Sequence, residues 1–79
     1  MNNVMANLYA TYAERVLPVD AGEIQKIETK RAFYAGAHGM FEKMTAISSS
    51  HTEDEAMAIM QSIQDEAKQF CDNVTIGKA

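Results

Sequence analysis

The sequence predicts an all-α fold: one helical domain over residues 1–79, with a short N-terminal helix, a long central helix and a C-terminal helix. Three observations carry this. Apolar residues recur at three- and four-residue spacing in three separate segments. No stretch alternates apolar and polar residues as a half-buried strand would. Pro18 and the run Ser48–Ser50 punctuate the chain between those segments.

The first helix is predicted over about 3–17. Met5, Leu8, Tyr9, Tyr12 and Val16 fall at helical spacing. It should stop before Pro18, because the residue preceding proline avoids helical angles. The second helix is predicted over about 21–47. Asp20 stands at its start and Glu23 lies three residues on, the spacing of a capping box. Gly36 and Gly39 are its weak points, each costing up to about 1 kcal/mol relative to alanine. A helix of this length spans about 38 Å, more than a tiny monomer can cover. Ser48 to His51 read as a loop. Thr52 then caps a third helix over about 53–73, with Glu55 at the capping-box position and Glu53, Asp54 and Glu55 in the first turn, where the helix dipole favours negative charge. Its apolar stripe is Ala56, Met60, Ile63, Ala67 and Phe70, with Cys71 beside it as a buried, inert thiol. Residues 75–79 read as a loose tail.

Composition sets the outer bounds. The chain has 79 residues, 47% hydrophobic and 23% charged, so it should fold. A domain this small buries only about 60% of the surface its unfolded chain exposes. Its single cysteine cannot form an intrachain disulfide, and there is no zinc-type cysteine spacing. Oligomerisation is the remaining route to a sufficient core. No apolar run reaches the ~18 residues of a membrane span. The first 17 residues lack a basic start followed by an apolar core. A soluble, intracellular protein is expected, with no membrane partner.

The net charge is −4, from 7 basic and 11 acidic residues. That disfavours DNA coating, which relies on excess positive charge. Residues 1–51 are neutral overall, with five bases and five acids. Residues 52–79 hold Lys68 and Lys78 against six acids, so the whole surplus lies there. Lys26, Lys30 and Arg31 make a local basic cluster at the start of the second helix.

That helix is the informative one. Met40, Phe41, Met44 and Ile47 form an ordinary core stripe. Ala32, Gly36 and Gly39 put small residues along one side, suited either to close packing of the third helix or to a helix–helix subunit contact. In the first half, Lys26, Thr29, Lys30 and Phe33 share a face. This face is either solvated and balanced by Glu23 and Glu28, or an anion pocket in which ammonium groups supply charge and Thr29 a hydroxyl donor. If two such helices pair antiparallel about a two-fold axis, each basic face meets its copy. The space between them then suits a small ligand with two phosphates and two-fold symmetry. Tyr9 and Tyr12, one turn apart, either pack in the core or cover that space and stack on planar bases, worth about 1–3 kcal/mol per base.

The stretch Ile24-Gln25-Lys26-Ile27-Glu28-Thr29-Lys30-Arg31-Ala32-Phe33-Tyr34-Ala35-Gly36-Ala37, with Tyr12-Ala13-Glu14-Arg15-Val16-Leu17-Pro18 before it, resembles a signature of the phage anti-CBASS sponge family. These are small helical proteins that sequester the cyclic oligonucleotide signals of a bacterial defence. The resemblance covers roughly residues 8–40; the third helix matches only in length and amphipathicity. It implies a hexamer of paired subunits in the cytoplasm of the infected host. It implies binding of cyclic dinucleotides such as 3′,3′-cGAMP between two protomers, without cleavage, and in some members of cyclic trinucleotides at three-fold contacts. Carried over by position, Tyr12 would stack on a base and Thr29 would contact the ligand. Lys26 or its one-turn neighbour Lys30 would meet phosphate. Tyr9 and Phe33 complete the expected ligand-binding set.

An enzyme is not expected. His38 and His51 lie 13 residues apart with no carboxylate partner at metal-ligand spacing. Cys71 has no adjacent base, and the serine loop is no nucleophile elbow. No catalytic residue, metal or cofactor is expected. The competing expectation is a helical interaction protein of a phage with no nucleotide ligand, gripping a host protein through a methionine-rich or acidic face.

Overall fold

A computed structural model describes residues 2–78. It holds three helices, α1 (Val4–Val16), α2 (Glu23–Ser50) and α3 (Glu53–Thr75), and no strand among the described residues. The chain divides into two compact units, Met1–Glu42 and Lys43–Ala79, with the division inside α2.

In the first unit, α1 ends as proline dictates. Leu17 is extended at φ −90° and ψ 127°, and its N–H still donates to Ala13 O at 2.9 Å. The chain then turns, Ala21 N–H donating to Pro18 O at 3.1 Å. Asp20 is the third residue of that turn and so cannot serve as the predicted cap. Glu23 becomes the first helical residue instead, and the first helical bond runs from Lys26 N–H to Gly22 O at 3.0 Å. Aromatic contacts between the two helices show α1 folded back on the first half of α2. No residue of α1 is fully buried.

In the second unit, α2 runs on through the predicted serine loop. Ser49 Oγ donates to Thr45 O at 2.9 Å and Ser50 Oγ to Ala46 O at 2.8 Å. These bonds, each reaching back four residues, satisfy the serine hydroxyls within the last helical turn instead of in a loop. The predicted Thr52 capping box is present: Glu55 N–H donates to Thr52 Oγ1 at 3.2 Å, and Thr52 N–H to Glu55 Oε1 at 2.8 Å. The Thr52 N–H bond, and after it the Thr52 side chain, favour the charged carboxylate and hold Glu55 below its ordinary value. At the far end, Lys78 N–H donates to Asn73 O at 2.8 Å and Gly77 N–H to Val74 O at 3.1 Å, with Gly77 at φ 78°. This is a Schellman motif closed by a left-handed glycine. Residues 75–78 are therefore an ordered helix end rather than a loose tail. Ala79, and Met1 at the other terminus, lie outside the described residues.

The core is slight. Ile47 at 4% and Ala56 at 6% exposure are the buried residues among those described. Of the expected core stripe in α2, Phe41 is 70% exposed. In α3, Phe70 is 61% exposed and Cys71 is exposed, so the thiol is not the buried one predicted. Within its unit, α2 contributes only residues 43–50, about 12 Å of helix against about 35 Å of α3. The far end of the α3 stripe finds no cover there.

Candidate ligand-binding site

The first unit brings four rings and one cation together. Tyr9 on α1 meets Phe33 on α2 edge-on, with ring centroids 5.3 Å apart and planes at 61°. Tyr12, one turn along α1, lies 5.3 Å from the same Phe33 ring at 33°. Tyr34 adds a fourth ring, 6.0 Å from Tyr9 and 5.9 Å from Phe33. These spacings lie in the range where aromatic pairs attract beyond their buried area. Lys30 Nζ stands 5.9 Å from the Tyr9 ring centroid, at the limit of a cation–π contact. Tyr9, Phe33 and Tyr34 are half-buried, whereas Tyr12 is 42% exposed and keeps a ring surface towards solvent.

The three basic residues of this region are not equivalent. Lys26 Nζ lies 3.8 Å from Glu23 Oε1, and Arg31 Nη1 lies 3.4 Å from Glu28 Oε1. Both pairs are exposed, so each contributes a few tenths of a kcal/mol at most, about the worth of a surface helix pair. Among the described residues Lys30 has no carboxylate within 4.0 Å. Thr29 is half-buried.

Of the predicted residues, the structure gathers Tyr9, Tyr12, Lys30 and Phe33 into one contact cluster. Lys26 turns to Glu23, and Thr29 has no ring or ion-pair contact with the cluster among the described residues. Tyr34 was not singled out from the sequence. Its signal was present, since it follows Phe33 directly and lies four residues after Lys30, on the same side of a helix.

The remaining titratable groups give no second constellation. Contrary to the expectation of no carboxylate partner for His38, its Nδ1 lies 3.1 Å from Glu42 Oε1, an exposed contact four residues along the same helix. No group of three or more His, Cys, Asp or Glu side chains is placed to hold a metal among the described residues. No helix there is long and apolar enough to cross a membrane. No protein-family model, curated protein or solved structure matches the chain.

Proposed function

We propose that the chain sequesters a cyclic dinucleotide of the 3′,3′-cGAMP type without cleaving it, and so keeps CBASS effectors inactive as a phage immune antagonist. The observation that supports this reading most is the Tyr9–Phe33–Tyr12 cluster with Lys30 against it. Planar rings suit nucleobases, and a cation without a carboxylate partner suits a phosphate. Tyr12 presents the most accessible ring of the predicted set. Lys30 is the better phosphate contact, because Lys26 already faces Glu23. One protomer offers one such face, and a ligand with two bases and two phosphates calls for two. The site is therefore completed by a second copy of the chain across a two-fold axis, within a larger homo-oligomer, a hexamer built from dimers.

Sequestration asks for affinity and not chemistry, so the deciding measurement reads both. Calorimetric titration with 3′,3′-cGAMP should give about one ligand per two chains, and chromatography should recover the nucleotide intact. Recovery of linear nucleotide would replace the sponge by a hydrolase. Absence of heat and of a thermal shift, with cyclic trinucleotides as well, would leave the protein-partner reading in its place.

A further inference from the structure

The second unit holds a pocket that shares no residue with the aromatic cluster. Ser48, His51, Glu53, Ala56, Met57 and Met60 line about 260 Å³ beside the turn from α2 to α3. His51 is fixed there. Its Nδ1 lies 3.1 Å from Ile47 O and 3.0 Å from Ser50 Oγ. A carbonyl only accepts, so Nδ1 carries the hydrogen. The Ser50 hydroxyl already donates to Ala46 O at 2.8 Å, so its oxygen accepts from the same N–H. The neutral ring is thus held as the Nδ1–H tautomer, with the Nε2 lone pair left over. A backbone carbonyl on the opposite nitrogen is how proteins commonly orient a histidine for a metal.

The surroundings decide the class of ligand. A helix N-terminus attracts anions, but here Glu53, Asp54 and Glu55 fill the first turn of α3, and Thr52 closes the cap. The local charge therefore favours a cation. Hard divalent cations need several oxygen ligands, and Glu53 is the only carboxylate in the pocket lining. The other donors are soft. Met57 and Met60 are three residues apart and share a face of α3. Met57 is 64% exposed, so its thioether is not committed to a core. Thioether sulfur with imidazole nitrogen selects soft monovalent ions. We propose that His51, Met57 and Met60 form a site for a soft d¹⁰ monovalent cation, Cu(I) or Ag(I), bound through Nε2 and the two thioethers.

The test uses the full chain and Ag(I), which needs no reductant, in a Cys71→Ser background so that the exposed thiol does not compete. The methionine methyl and histidine ring resonances are followed by NMR during titration. The expected result is saturation at about one equivalent, with shifts confined to Met57, Met60 and His51. His51→Asn keeps an N–H for the Ile47 carbonyl, and Met57→Leu and Met60→Leu keep side-chain bulk. Each should weaken binding at least about tenfold, as even outer-shell changes at metal sites do, with helicity unchanged by circular dichroism. No saturable binding, equal shifts at Met5, Met40 and Met44, full affinity in all three variants, or tighter binding of Zn(II) than of Ag(I) would each overturn the site.

Discussion

At the scale of single residues, the two lysines of the first unit separate most sharply. They are one turn apart and identical in chemistry, yet Lys26 has Glu23 within reach and Lys30 has a tyrosine ring. If Lys30 meets phosphate, Lys30→Glu should abolish the thermal shift given by 3′,3′-cGAMP, while Lys26→Glu weakens it only partly. Tyr12→Ala should lower affinity by about 1–3 kcal/mol, the worth of one stacked base, without changing oligomer mass. Equal affinity in Lys30→Glu and the parent chain would remove Lys30 from the site. Glu55 makes a different residue-scale prediction. Its carboxyl titrates lower in the folded chain than in the unfolded one. Its contribution is therefore full above the ordinary carboxylate pKa and is lost as pH falls through the lowered value. Thermal melts of the parent chain should show this loss on acidification. In Thr52→Ala, which removes one of the two bonds holding the charge, it should be smaller.

At the scale of elements, the helix ends account for most of what the sequence shows and hides. The Thr52 box was legible because each of its two side chains takes the other residue's backbone N–H, at a fixed spacing of three residues. The same spacing at Asp20 and Glu23 misled, because Pro18 draws Asp20 into a turn before it can cap. The serines were misread because serine is as suited to a loop as to bonding back within a helix, and its choice depends on carbonyls four residues earlier. Gly77 was passed over in a short polar tail, although a glycine there supplies the positive φ of a helix stop. Thr52→Ala should cost about 1 kcal/mol, a fall of roughly 4–8 °C in Tm for a domain of this size. Gly77→Ala forces a left-handed alanine at a cost of about 1–2 kcal/mol. Hydrogen exchange should locate that change in the last turn of α3, with the Thr52 end unaffected. The candidate site was half legible: Tyr9, Tyr12, Lys30 and Phe33 follow from helical spacing. Which lysine had a carboxylate beside it depended on side-chain rotamers, which spacing does not encode.

At the scale of the whole molecule, the apolar surface outruns the core. Ile24, Phe41, Met57, Phe70, Val74 and Ile76 are each at least half exposed, against two buried residues. Singly such residues are ordinary, but in a chain of this size they leave little to hold the fold together. Assembly of several copies would cover them, and stability would then depend on protein concentration. The small-residue side of α2 is one place where this can be read. A Cβ at Gly36 or Gly39 would meet nothing within 4 Å. In a lone chain, alanine at either position should raise stability by about 0.5–1 kcal/mol. If two α2 helices pair along this side, Gly36→Leu should lower the mass seen by sedimentation towards a single chain and abolish nucleotide binding with it. Retention of both would move the pairing to another face.

The exposed Cys71 gives the molecule a clock. An accessible thiol on a helix surface is open to slow oxidation by air. Two chains can then join through a disulfide that belongs to storage and not to the fold. An aged preparation would acquire a covalent pair visible on a non-reducing gel and absent from a fresh one. Because Cys71 adjoins Phe70, the bond would also bring two exposed aromatic side chains close together and favour clumping. Freshly reduced protein and Cys71→Ser should therefore agree in oligomer mass and melting temperature, and drift between them would date the sample.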